Sequence, residues 1–246
     1  MTTTVGVSLK TYFSHGDALA WMTAVAELVR GVEAVASGTV RVFVAPTFLQ
    51  IPAAVETFAG TGVAVAAQDV SAHPAGAFTG EVTAAELAEV GVAVVEIGHA
   101  ERRRLFGETD AEVAAKTSAA LRAGLTPLIC VGETAHEDAA AAISAVRAQL
   151  DAALDGAPAG PVIVAYEPVW AIGAPTPAPA DHISAVTRAL RTALGARPDS
   201  AVVYGGSAGP GLLTALGDAV DGLFLGRFAH DPARLAEVLR EAGARP

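Results

Sequence analysis

Glu167 follows the apolar run Val162-Ile163-Val164-Ala165 and Tyr166, and precedes Pro168-Val169-Trp170-Ala171-Ile172-Gly173. A carboxylate at the C-terminal end of a buried strand, under a loop that Gly173 can hinge, suits proton abstraction beneath a closing lid. His99 lies in Gly98-His99-Ala100-Glu101-Arg102-Arg103-Arg104, one residue beyond a glycine that ends another apolar run. At the start of a short helix a charged imidazolium is disfavoured. The neutral ring can hydrogen-bond a carbonyl oxygen and make the adjacent C–H acidic enough for Glu167. Lys10, at the end of the first apolar run, offers a cation to a phosphate dianion or a developing enediolate, and Glu101 is placed to hold that lysine. Alone, each residue has an ordinary reading as an ion-pair glutamate, a loop histidine or a surface lysine; together they point to catalysis.

A second group of residues suits phosphate. The seventh apolar run ends in Tyr204-Gly205-Gly206-Ser207 and the eighth in Leu225-Gly226-Arg227. Glycines let backbone N–H groups approach an anion closely, although either pair alone is a common turn signal. Arg227 reads equally well as a direct phosphate ligand or as an outward ion-pair partner.

These side chains need a scaffold, and the chain supplies a regular one. Short β-branched runs predict strands near 4–10, 40–45, 62–68, 92–97, 126–131, 161–166, 201–205 and 221–225. Helical patterns lie between them near 16–35, 48–58, 83–89, 108–123, 135–154, 178–194, 209–216 and 231–242. Eight consecutive βα units without a polar linker predict an α/β fold, one (β/α)₈ barrel domain over residues 1–246, with an open doubly wound sheet as the alternative. In such a barrel chemistry sits on the loops after the strands, where these residues fall.

Composition narrows the partners. The chain has 246 residues, 52% of them hydrophobic, and a formal charge of −10 without a basic block, which argues against a nucleic-acid surface. The one cysteine, Cys130, cannot form an internal disulfide and is expected in the core. No basic leader or membrane-length apolar run is evident, so a cytoplasmic protein is expected. No nucleotide motif or metal-ligand spacing calls for a cofactor.

The octapeptide Tyr166-Glu167-Pro168-Val169-Trp170-Ala171-Ile172-Gly173 closely resembles the lid segment of the triosephosphate isomerase family. Ala45-Pro46, Gln68, Gly76 to Glu81, Phe106-Gly107-Glu108, Cys130-Val131-Gly132-Glu133 and Tyr204 to Ser207 extend the resemblance over nearly the whole chain. By that resemblance Lys10, His99 and Glu167 carry catalysis and Glu101 supports Lys10. Gly173, Ser207 and Gly226 bind phosphate, while Tyr204 and Ser207 hold the closed lid over Pro168 to Ile172. The pairing of a glutamate base with a neutral histidine is inherited from what is known of that family. The family also implies a homodimer, in which the Ala77-Phe78-Thr79-Gly80 loop reaches the partner near its lysine.

Three departures matter. Ser8 replaces the family's asparagine two residues before the lysine, Arg227 replaces a second glycine, and Ala174-Pro175-Thr176-Pro177-Ala178-Pro179 stiffens the second lid hinge. The leading expectation is interconversion of dihydroxyacetone phosphate and glyceraldehyde 3-phosphate through an enediolate. Ser8 and Arg227 suggest as an alternative a four-carbon ketose phosphate such as erythrulose phosphate, with a smaller residue making room. The third reading is a phosphate-ligand-binding barrel with impaired catalysis.

Overall fold

The computed structural model describes residues 2–195 and 197–245. Its strands are β1 (Thr3–Ser8), β2 (Val40–Ala45), β3 (Val63–Ala67), β4 (Val92–Ile97), β5 (Thr126–Val131), β6 (Ile163–Tyr166), β7 (Ala201–Tyr204) and β8 (Gly222–Leu225). Each runs parallel to the next, and β8 returns to β1 to close the barrel. The open-sheet alternative is thereby excluded. Closure pairs every strand on both sides and leaves no edge to protect.

The helices outside are α1 (His15–Arg30), α2 (Glu33–Ala36), α3 (Ile51–Phe58), α4 (Ala84–Val90), α5 (Ala100–Phe106), α6 (Asp110–Arg122), α7 (Ala139–Leu154), α8 (Ala180–Leu194), α9 (Leu212–Leu216) and α10 (Pro232–Gly243). The helix expected over 16–35 is two helices, because the chain turns at Gly31 and Val32 is extended. Thr109 caps α6 reciprocally with Glu112, and Thr83 and Asp138 cap α4 and α7, so several starts follow from local side-chain chemistry.

Period-two alternation divides each strand between two cores. Val5, Val7, Val95, Ile97, Val164 and Tyr166 pack outward against the helices. Phe43, Val94, Leu128, Ile163, Val203 and Phe224 fill the barrel interior, with the smaller Ala45, Cys130 and Ala165 one step further along their strands. Gly6 is required here, since a Cβ on it would meet the Phe43 ring at 2.1 Å. Cys130 is buried as expected. Among the described residues no helix is long and apolar enough to cross a membrane.

Candidate active site

The alternation that buries Gly6, Val94 and Ala165 also turns Ser8, Glu96 and Glu167 inward, each two residues further along the chain, with Glu167 just past the end of β6. All three are at most 3% exposed, so neither carboxylate is solvated by bulk water. Glu96 is the residue that the sequence reading missed. Its signal was present: one acidic residue, in phase with Val94, inside an otherwise apolar strand.

His99 is the N-cap of α5, carried there by Gly98 at φ +74°. Its Nδ1 accepts a hydrogen bond from the Glu101 backbone N–H at 3.1 Å. In the neutral ring the proton therefore sits on Nε2. That nitrogen lies 3.4 Å from Glu167 Oε2 and 3.8 Å from Glu96 Oε1. Burial, reinforced by the charge on Lys10, pushes His99 down to about 4, so the ring is neutral at physiological pH. The expected neutrality holds, with burial as its main cause.

Lys10 lies just beyond β1, which ends at Ser8 and not at residue 10 as expected. It adopts φ 48°, an uncommon conformation for a residue with a side chain. Gln68 secures this turn by donating to the Lys10 carbonyl at 3.0 Å and the Ala45 carbonyl at 2.9 Å. Backbone strain held by a half-buried side-chain clamp tends to occur where a side chain must be aimed. Lys10 Nζ meets Glu101 Oε1 at 2.9 Å. Burial works against its charge, but the Glu101 hydrogen bond and the charges of Glu101, Glu167 and Glu96 outweigh this and raise its pKa. Glu101 is held low: the hydrogen bond and charge of Lys10 overcome the opposing effect of burial.

Burial and then the charge on Glu96 lift Glu167 well above the usual carboxylate range, with Lys10 pulling the other way. A carboxylate of raised proton affinity is a stronger base toward carbon. Glu167 Oε2 has no hydrogen-bond partner among the described residues. Gly205 makes room for the other oxygen, because a Cβ on it would stand 2.7 Å from Glu167 Oε1.

The loop after Glu167 begins with Pro168 and a short 3₁₀ turn, Val169–Ala171. Its near end is tied to Glu133 after β5: Trp170 Nε1 and Tyr166 Oη donate to Glu133 Oε1 at 2.8 and 3.1 Å, and the Val169 N–H donates to the Glu133 carbonyl. Its far end is tied to β7: the Ala178 N–H donates to Tyr204 Oη at 3.1 Å and Ser207 Oγ donates to the Ala174 carbonyl at 2.6 Å. Ile172 and Gly173, the latter at φ +73°, line the cavity between these ties. The contacts of Glu133 were not assigned from sequence, since they come from β6 and the loop beyond it.

One cavity of about 930 Å³ collects Ser8, Lys10, His99, Glu101 and Glu167 with Gly173, Ser207, Gly226 and Arg227. Arg227 belongs to this wall and forms no ion pair among the described residues, so the outward ion-pair reading is not realised. Its guanidinium lies 5.8 Å from the centre of the Tyr12 ring and beside Gly173. Backbone N–H groups, a cation and Ser207 at one end suit a phosphate, and a base, a neutral imidazole and an ammonium at the other suit proton transfer next to a carbonyl. No three His, Cys, Asp or Glu side chains among the described residues cluster so as to hold a metal ion.

The family model described as triosephosphate isomerase matches residues 3–242. The L-erythrulose-1-phosphate isomerase of Pectobacterium atrosepticum is 49% identical, over 97% of this chain and 95% of its own length. The triosephosphate isomerase of Citrifermentans bemidjiense is 37% identical over 94% of this chain and 95% of its own. An L-erythrulose-1-phosphate isomerase of Mesorhizobium japonicum is also 37% identical, over 98% and 97%.

Proposed function

Because this chain belongs to the triosephosphate isomerase family, we propose that it isomerises a phosphorylated ketose through an enediolate, with a four-carbon ketose 1-phosphate as substrate. The observation that carries the chemistry is the placement of a neutral His99 Nε2–H 3.4 Å from the Glu167 carboxylate in the cavity that Lys10 also lines. The 49% identity to an L-erythrulose-1-phosphate isomerase and the serine at position 8 favour the four-carbon substrate.

With phosphate on C1 and the ketone on C2, the acidic C–H that gives an enediolate is on C3. Glu167 takes that proton, and the electron pair of the broken bond forms the C2–C3 double bond while charge moves to the C2 oxygen. His99 donates to that oxygen and Lys10 stabilises the charge. His99 passes its Nε2 proton to the C2 oxygen and takes the proton of the C3 hydroxyl in its place, and returning the carbon proton to C2 then leaves the carbonyl at C3, the 4-phosphate isomer. Glu101 holds Lys10, while Gly173, Ser207, Gly226 and Arg227 hold the phosphate. Pro168 to Ile172, tethered by Tyr204, exclude water from the intermediate.

A second reading, the three-carbon interconversion with the proton moving between C1 and C2, uses the same groups and is favoured by the 37% identity to a triosephosphate isomerase. Turnover of L-erythrulose 1-phosphate and dihydroxyacetone phosphate measured side by side tests both. The four-carbon reading expects the larger kcat/KM for the tetrulose; turnover of the triose alone would replace it with the second. Binding of 2-phosphoglycolate without turnover of either would leave a binding barrel.

The same reading includes a homodimer. Tyr12, Phe48, Leu49, Phe78, Leu105 and Phe106 are exposed on the segments after the neighbouring strands β1 to β4. Phe78 is stacked on His73 in a loop that is otherwise small and polar. Covering this face with a second copy would remove its apolar surface from water.

A further inference from the structure

Ser8 and Glu96 form a polar pair beneath the floor of the cavity, joined by a hydrogen bond from Ser8 Oγ to Glu96 Oε2 at 3.1 Å. Ser8 lines the cavity and Glu96 does not, so the serine stands between the carboxylate and any occupant. A hydroxyl has one proton. With that proton directed to Glu96, Ser8 presents only lone pairs to the cavity. An acceptor there cannot serve a carbonyl or enediolate oxygen, which needs donors, but it can serve a hydroxyl. Lys10, His99 and Glu167 are already committed to the reacting carbons and their oxygens. In a four-carbon ketose 1-phosphate the hydroxyl on C4 lies beyond those carbons, away from the phosphate, and a triose phosphate has no such group.

Resting on the four-carbon reading, we propose that Ser8 accepts a hydrogen bond from the terminal hydroxyl of the substrate and that Glu96 is the positioning residue that fixes its rotor, making this pair the selector for four carbons over three. A site built to hydrogen-bond a substrate hydroxyl discriminates strongly against an analogue lacking it. The device responds to pH. Glu96 is faced by Lys10 after β1, Asp69 after β3, Cys130 in β5, His99 and Glu101 after β4, and Glu167 after β6. Burial lifts it to about 7. Below that pH the carboxyl gains a proton, no longer compels Ser8 to donate, and the preference weakens. Titration of the other groups acts on turnover of both substrates and cancels in their ratio.

The test is the ratio of kcat/KM for L-erythrulose 1-phosphate to that for dihydroxyacetone phosphate, from pH 6 to 8.5. Ser8→Ala and Glu96→Leu are each expected to lower it roughly tenfold or more, with little further loss in the double variant. Glu96→Gln, whose amide oxygen still accepts from Ser8, keeps most of the preference but loses its pH dependence. A ratio within about twofold of wild type in both single variants, or fully additive losses, overturns the proposal. A pH-dependent ratio in Glu96→Gln also overturns it, and this variant carries the test if Glu96→Leu does not fold. A wild type that turns over the triose but no tetrulose phosphate overturns the functional reading itself.

Discussion

The imidazole of His99 is held by one nitrogen and presents the other: Nδ1 accepts from the Glu101 N–H at 3.1 Å, and Nε2 faces Glu167 Oε2 at 3.4 Å. The first contact sets the tautomer and the second aims the remaining proton into the site. A substrate whose C–H approaches the carboxylate therefore brings its neighbouring oxygen toward an N–H donor.

This geometry makes Glu167 sensitive to small displacements. Glu167→Asp withdraws the carboxylate by roughly 1 Å, which should lower kcat about 10²-fold. Binding of 2-phosphoglycolate, which reports the phosphate end, should change little. Steady-state kinetics with inhibitor titration checks this, and an unchanged kcat would remove Glu167 from the role of base.

The ring of His99 should be neutral, with Nδ1 unprotonated, across pH 5.5 to 8. Nitrogen-15 NMR of the imidazole reads both properties directly, and a titration midpoint near the ordinary 6.5 would contradict the structure. The stability sign follows from the depressed value, about 4 in the folded chain. The unfolded chain binds this proton first, so stability is lost as pH falls from 6.5 toward 4.

Glu96 acts in the opposite direction. Its folded value of about 7 stands above the ordinary 4.5, so the folded chain retains a proton that the unfolded chain releases. Stability from this group is present below 4.5 and lost as pH rises through about 7. The interval corresponds to on the order of 3 kcal/mol. Glu96→Gln should therefore be more stable than wild type at pH 8, with the difference shrinking toward pH 4. Urea unfolding at both values checks it, and a difference independent of pH would contradict the assignment.

Tyr204→Phe removes the acceptor of the Ala178 N–H, on a buried residue between exposed prolines at the far end of the lid. Leaving that donor unpaired costs about 1–3 kcal/mol when the lid is closed. Affinity for 2-phosphoglycolate should fall at least about fivefold, mainly through faster dissociation. Stopped-flow release measures it, and an unaltered off-rate would mean that this bond does not hold the lid.

Phe78→Asp places a charge in the exposed face after β3, and is expected to shift a dimer to monomer with loss of activity. Sedimentation velocity alongside turnover decides it. A wild-type protein that is monomeric and fully active at working concentration would refute the dimer.

The sequence by itself determined eight βα units and favoured a barrel, because eight apolar runs separated by helical patterns leave few ways to bury every strand on both faces, while the pairing of β8 with β1 decided closure over an open sheet. It also determined that Glu167 and His99 stand just after strands, since strand ends are local features marked by Gly98 and by the polar residues themselves, whereas Lys10 was expected at the end of β1 and lies two residues beyond it. Arg227 remained open between two orientations, which local sequence does not distinguish. Only the tertiary structure decided that Ser8 donates to Glu96, that Glu133 anchors Trp170, and that Gln68 holds the turn at Lys10. These partners are separated by 88, 37 and 58 positions along the chain. Their pairing depends on which strand ends the closed barrel brings together, and a hydrogen bond a few ångströms long is not encoded in the spacing of either partner alone.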